Sequence, residues 1–188
     1  MKKIKRNHAP KAFALVLLGL VVSAGLFPQT PNSRILSPEI VENIRAHWGP
    51  IERAFEDLDS HEDPEIHGPF YAYNRKMESF GLLFEDFWES SPMEAGKAPD
   101  IAKGYQKILR IAVPPEVQRI YRENGLGNRG HQVIVCLFVG LHILKYKRAF
   151  DDLVQQPPKL YKKLTFLESL IHPEDMALAA QHEDLLGD

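Results

Sequence analysis

The chain has 188 residues, of which 44% are hydrophobic and 10% aromatic, so it is of one-domain size with enough apolar material for a core. This composition excludes a disordered chain. The net charge of −2 is unevenly distributed along the chain. Every charged residue up to Ala24 is basic, and the rest of the chain carries a net negative charge. An acidic body lacks the basic footprint that nucleic acid requires, so we expect no nucleic-acid partner and no anionic lipid as the main partner.

Residues 1–24 predict a signal peptide or a membrane anchor. The basic residues are followed by sixteen uncharged residues, 12–27, and then by a stretch rich in helix breakers, which is the order of a secretory signal. Val22-Ser23-Ala24 places small residues at a cleavage site, which would give a mature chain from Gly25. The alternative is an uncleaved anchor, since sixteen helical residues reach about 24 Å of a hydrocarbon core of about 30 Å.

Both alternatives predict an extracytoplasmic location, because the positively charged end stays on the cytoplasmic side and the rest of the chain crosses the membrane. A cleaved chain would be periplasmic or secreted. An uncleaved chain would be anchored in the inner membrane with its C-terminal domain outside. We expect residues 25–36 to be a linker and residues 37–188 to form a single helical domain.

Two long helices are predicted at the start of this domain. Ser37-Pro38 supplies an N-cap and a first-turn proline, and apolar residues then recur at helical spacing, although Pro50 is expected to kink or split this helix. A polar link is predicted from Asp59 to Gly68. In the helix that follows, Phe80 and Phe84 belong to an aromatic seam that we expect to face inward.

The predicted fold is all-α, a compact bundle of about five to seven helices, because no segment shows sustained period-two alternation. A helix near residues 130–150 is apolar on all sides from Val133 to Leu144, and a helix without a polar face belongs in the centre of a bundle. Twelve residues are too few to cross a bilayer. We expect Leu137 and Phe138 to lie in this helix, with at least one of them fully buried.

The pattern GxGxxG occurs at residues 125–130, where it opens the predicted central helix. A dinucleotide-binding fingerprint needs a buried strand directly before the glycines, and here the preceding residues are charged and helical in period. We therefore interpret the glycines as a helix end and a link between two helices. Arg129 remains a candidate for anion binding at a helix N-terminus.

Acidic and histidine residues are dense between the first two long helices, and four of them are candidate metal ligands: Asp57, Asp59, His61 and His67. Neither the HExxH spacing nor the EF-hand pattern occurs. We expect a solvated loop between helices here.

His131 and His142 lie eleven residues apart in the predicted central helix, so both should project to one side of it about 16 Å apart. Inward-facing histidines hold haem or metals in some bundles, and His47 is the candidate partner on another long helix. The chain has no CxxCH for covalent haem. We expect hydrogen-bonded structural histidines and no cofactor.

The search for catalytic groups finds no nucleophile motif, and the lone cysteine, Cys136, sits in an apolar run as a buried hydrophobe would. The sequence thus predicts a non-enzymatic binding, scaffolding or interaction module, whose partner we expect to be another protein or a small ligand. An uncleaved N-terminal segment would add the membrane as a partner. The alternative is a metal- or haem-binding bundle with a redox or sensing role.

Overall fold

The computed structural model describes residues 33–89 and 97–182, and over these ranges the regular secondary structure is entirely helical, with no strand. The seven α-helices are α1 Pro38–Asp59, α2 Pro64–Glu89, α3 Lys97–Ile108, α4 Pro115–Glu123, α5 Gly130–Asp151, α6 Pro158–Glu168 and α7 Pro173–Ala180. The predicted all-α bundle is confirmed. Residues 1–24, the predicted signal peptide or anchor, lie outside the described residues. Within the described ranges, no helix combines the length and apolar character needed to cross a membrane.

Local sequence signals set the start of several helices. Proline occupies the first turn of α1, α4, α6 and α7, where its missing N–H would have had no partner within the helix. The Ser37 hydroxyl accepts a hydrogen bond from the Ile40 N–H at 3.3 Å, as an N-cap should. His172 caps α7 in the same way, through Nδ1 and the Glu174 N–H at 3.2 Å.

One predicted boundary is wrong. The link after α1 is only Ser60 to Asp63, because the Asp63 side chain caps the Glu65 N–H at 2.9 Å and α2 begins at Pro64. At Pro50, where a kink or a split was predicted, α1 continues as one helix. Ile44, Ile51 and Leu58 are buried at intervals of seven residues on one face, so packing holds both halves of α1 in one helix despite the lost hydrogen bond.

The central helix is α5, which packs against α6 and α7. Its small residue Gly140 faces Ala179 of α7, where an added Cβ would lie 3.0 Å from the alanine Cβ. Leu137 is 3% exposed, as predicted for the core. The prediction that at least one of Leu137 and Phe138 is buried is therefore confirmed, while Phe138 itself is 43% exposed. Neighbouring helices leave one strip of α5 open to solvent.

The aromatic seam of α2 packs inward, as predicted. Phe84 is 3% exposed and stacks on Tyr146 of α5 with ring centroids 5.8 Å apart. Phe80 is half-buried and stacks on Tyr105 of α3 at 6.3 Å. The seam therefore joins α2 to both α3 and the central helix.

We expect Phe84→Ala to lower the free energy of unfolding by about 3–5 kcal/mol, because it leaves a cavity in the core. Phe138→Ala is the matched control on the open strip of α5, and it should cost much less because the ring is already partly in water. Urea unfolding followed by circular dichroism measures both. Equal losses would contradict this assignment of core and surface.

Candidate functional site

A chain of buried hydrogen bonds joins four helices at His131. The Tyr73 hydroxyl of α2 lies 2.9 Å from His131 Nδ1 and 2.9 Å from the Tyr121 hydroxyl of α4. On the other side of the ring, His131 Nε2 lies 2.6 Å from the Ile108 carbonyl oxygen at the end of α3. All three side chains are buried. We call Tyr121, Tyr73 and His131 the tyrosine–histidine chain.

The Ile108 carbonyl oxygen can only accept a hydrogen bond, and this fixes the direction of the other hydrogen bonds in the chain. Since the Ile108 carbonyl accepts, Nε2 carries the proton and Nδ1 of the neutral ring accepts from the Tyr73 hydroxyl. Tyr73 in turn accepts from Tyr121. Burial raises the pKa of Tyr73 to about 12 and the pKa of Tyr121 well above its usual value, and burial lowers the pKa of His131. All three groups are thus held neutral near pH 7.

This arrangement gives His131 a structural place in the fold. Both ring nitrogens have hydrogen-bond partners within the protein, and coordination of a metal or haem iron would require one of these bonds to break. His142 lies elsewhere on α5, with Nδ1 2.9 Å from the Phe138 carbonyl oxygen and its ring beside Phe84. His47 is exposed on α1, with Nδ1 2.9 Å from the Asn43 carbonyl oxygen.

The four candidate metal ligands between the first two helices are distributed over three elements. Asp57 and Asp59 are exposed in α1, His61 is exposed in the link, and His67 lies in α2 against the Tyr71 ring. His61 Nδ1 accepts a hydrogen bond from the Asp63 N–H at 3.1 Å. Across the described ranges, no three His, Cys, Asp or Glu side chains are grouped as metal ligands would be.

The glycines of residues 125–130 each meet a backbone or packing requirement. Gly125 and Gly127 have φ of +77° and +63°, the left-handed region that glycine adopts readily. A Cβ on Gly130 would overlap the Cβ of Tyr121, so this glycine lets α5 start against α4. Arg129 is exposed in the 3-10 turn before α5. The pattern thus forms the tight connection that brings Tyr121 beside His131.

Asp175, in the first turn of α7, is a second buried polar centre. Its two carboxyl oxygens accept hydrogen bonds from the N–H groups of Ile35 and Leu36, both at 2.9 Å. The Cys136 thiol donates to the same carboxyl at 3.6 Å. Asp175 therefore ties the chain before α1 to α7 and to the centre of α5. Leu36 is buried, so the end of the predicted linker belongs to the packed domain.

Lys163 is a third buried polar group that sequence reasoning did not identify. Its Nζ donates to the carbonyl oxygens of Phe87 at 2.7 Å and Trp88 at 3.1 Å, and lies over the Phe87 ring at 5.5 Å from its centroid. The last carbonyls of a helix have no partner within it, and a cation there also suits the helix dipole. Lys163 of α6 therefore caps the C-terminal turn of α2.

The surface feature with the most apolar character lies on the open strip of α5. The rings of Phe138 and His142 stack with centroids 5.6 Å apart, and Trp48 of α1 lies 6.3 Å from Phe138. We call Trp48, Phe138 and His142 the aromatic row. The depression beside it is shallow, with a cavity volume of about 10 Å³. Small-molecule sites enclose roughly 300–1,000 Å³, so this surface suits contact with another macromolecule better.

Inward-facing tyrosines were the available signal for the tyrosine–histidine chain. Tyr73 and Tyr121 occupy apolar positions of their helices, and a buried tyrosine hydroxyl needs a hydrogen-bond partner. His131, in a buried helix, was a candidate for this hydrogen-bond partner. No comparable signal marked Asp175 or Lys163, because charged residues at helix ends are usually exposed.

The stability of the protein should fall in mild acid because of His131. Its pKa is lowered in the folded state, so the unfolded chain takes up a proton first as the pH drops. The contribution of neutral His131 is complete above the ordinary pKa of 6.5 and is lost as the pH falls from there through the folded-state pKa. Urea unfolding between pH 8 and pH 5 measures this loss, with a limiting slope of about 1.4 kcal/mol per pH unit.

His131→Gln is the control, because glutamine can still donate to the Ile108 carbonyl but does not titrate. This variant should be less stable at pH 8 and show a shallower dependence on pH. An identical slope in both proteins would contradict the role of His131.

Comparisons with protein-family models, with curated proteins and with solved structures find no match for this chain. Its function is therefore inferred from the chemistry of its own residues.

Proposed function

We propose that this protein is an exported or membrane-anchored helical bundle that acts as a binding or interaction module rather than an enzyme, and that its aromatic row contacts a partner protein. The observation that carries the proposal is the exposure of Phe138, at 43%, within residues 133–141 of α5, which are otherwise buried. The N-terminal order of basic, apolar and breaker-rich residues supports export.

The composition of the aromatic row supports a protein partner. Isolated exposed apolar residues are common on protein surfaces, whereas here the Phe138 ring contacts both Trp48 and His142. Aromatic side chains are enriched at the centres of protein interfaces, where they bury large areas with few rotatable bonds. Phe138 and His142 lie one turn apart on α5, with Trp48 of α1 beside Phe138, so a partner segment with apolar side chains at helical spacing would match the row.

The chemistry of the buried groups supports a non-enzymatic role. His131 and Asp175 each hold other helices or segments through hydrogen bonds. Burial raises the pKa of the Cys136 thiol to about 12, so the reactive thiolate is scarce at neutral pH. His131, Asp175 and Cys136 therefore contribute to the fold rather than to a reaction. Recognition is accordingly assigned to the surface of the protein.

Export is tested with a reporter that works only outside the cytoplasm, fused after Asp188. We expect the fusion to be active because residues 1–24 carry the pattern of a signal peptide or anchor. Mass analysis of the mature chain distinguishes a start at Gly25 from a retained anchor. Activity of a cytoplasm-only reporter at the same position would contradict export.

The aromatic row is tested with a photoreactive benzoyl-phenylalanine in place of Phe138, compared with the same group at Leu82. Leu82 is 62% exposed on α2, outside the aromatic row, and therefore reports random collisions. We expect a discrete cross-linked product from position 138 in intact cells. This product should be lost on Trp48→Asp or His142→Asp in variants whose circular dichroism is unchanged.

The mass of the cross-linked product identifies the partner class. A mass above that of one chain by a constant amount indicates a separate protein, and twice the mass of the chain indicates a second copy. The same products at both positions, or none at position 138, would contradict the proposal.

A further inference from the structure

The loop between α5 and α6, residues 152–157, projects from the bundle. Every residue from Asp151 to Lys159 is exposed. Its tip carries two aliphatic side chains, Leu153 at 41% and Val154 at 102% exposure. Val154 thus meets water on all sides, and its exposure has no role in the packing of the bundle.

The base of this loop carries an exposed aromatic ring. Tyr161 of α6 is 59% exposed and packs against Phe150, the buried residue in the last turn of α5, with ring centroids 6.1 Å apart. A tyrosine with one face on the protein and its hydroxyl end in water is the side chain favoured at a membrane–water boundary.

The charge around the loop is opposite to that of the rest of the folded chain. Between Lys145 and Lys162 there are five Lys or Arg residues and two Asp, whereas the whole chain has a net charge of −2. Lys159 and Lys162 are exposed in the first two turns of α6, and no acidic residue lies in the first turn of that helix. Asp151 and Asp152, at the other end of the loop, offset only part of this positive charge.

We propose that the α5–α6 loop is a contact site for the surface of an anionic phospholipid membrane. Leu153 and Val154 enter the boundary between headgroups and acyl chains, while Lys159 and Lys162 bind lipid phosphates. Apolar side chains beside basic ones are what interfacial segments use, because burial of the former and attraction of the latter add together.

The acidic charge of the rest of the domain would orient the protein at the membrane. An anionic surface repels the acidic parts of the body, so the domain would approach it with the basic end of α5 and α6 first. The contact is local, and it is compatible with the acidic overall charge that disfavours anionic lipid as the main partner. It also leaves the aromatic row, on a different part of α5, for a protein.

The test uses the full chain with Val154→Cys labelled by an environment-sensitive nitrobenzoxadiazole dye. The native Cys136 is buried and its thiol pKa is raised to about 12, so the label goes to position 154. The labelled protein is reconstituted with phosphatidylcholine vesicles or with vesicles containing phosphatidylglycerol. The same dye on Leu82→Cys is the control, because Leu82 is exposed on α2, away from the loop.

We expect a blue shift and an increase in dye emission at position 154 in the phosphatidylglycerol vesicles, and none at position 82. High salt should reverse the change, because the Debye length falls to about 3 Å at 1 M. Lys159→Gln with Lys162→Gln should lower the ratio of membrane-bound to free loop about five-fold for each lysine removed.

Three outcomes would overturn the proposal. The emission at position 154 would be the same in neutral and anionic vesicles, both labelled positions would respond equally, or the lysine substitutions would leave the response unchanged.

Discussion

The burial of α5 is the constraint on which the rest of the bundle depends. This helix has apolar residues on nearly every face, so it is stable in water only when other helices cover it. The chain has a single cysteine and therefore no intramolecular disulfide to stabilise the fold. Packing must supply that stability, and α6, α7 and the aromatic seam of α2 all cover parts of α5. Phe138 lies where these elements do not cover α5, so it is exposed and forms part of the aromatic row.

Buried polar groups then determine how the surrounding helices are joined. Apolar packing alone is tolerant of small shifts, whereas a buried donor or acceptor without a partner is costly. The tyrosine–histidine chain links α2, α3, α4 and α5, and Asp175 links the entering chain to α5 and α7. Lys163 adds a link from α6 to the end of α2. The ionisable groups in these links therefore have structural roles. The proposed functions lie at the surface instead.

The two proposed surfaces differ in chemistry and would serve different partners. The aromatic row is a set of adjoining rings in which Phe138 contacts both Trp48 and His142, which favours a protein segment. The α5–α6 loop is narrow, aliphatic at its tip and basic at its base, which favours an anionic bilayer surface. A domain held at a membrane by this loop would present its other faces to partners in the compartment to which we propose that it is exported.

The sequence by itself determined the fold class, the start of α1 and the core positions of Leu137 and Phe84, because helical periodicity and proline capping are local signals. It also identified the glycines of residues 125–130 as a link. Only the tertiary structure decided that Tyr73, Tyr121 and His131 form one chain, since they come from three separate helices. The continuity of α1 through Pro50 and the exposure of Phe138 were likewise decided by packing, because they depend on which faces the neighbouring helices cover, and a single sequence does not encode that locally.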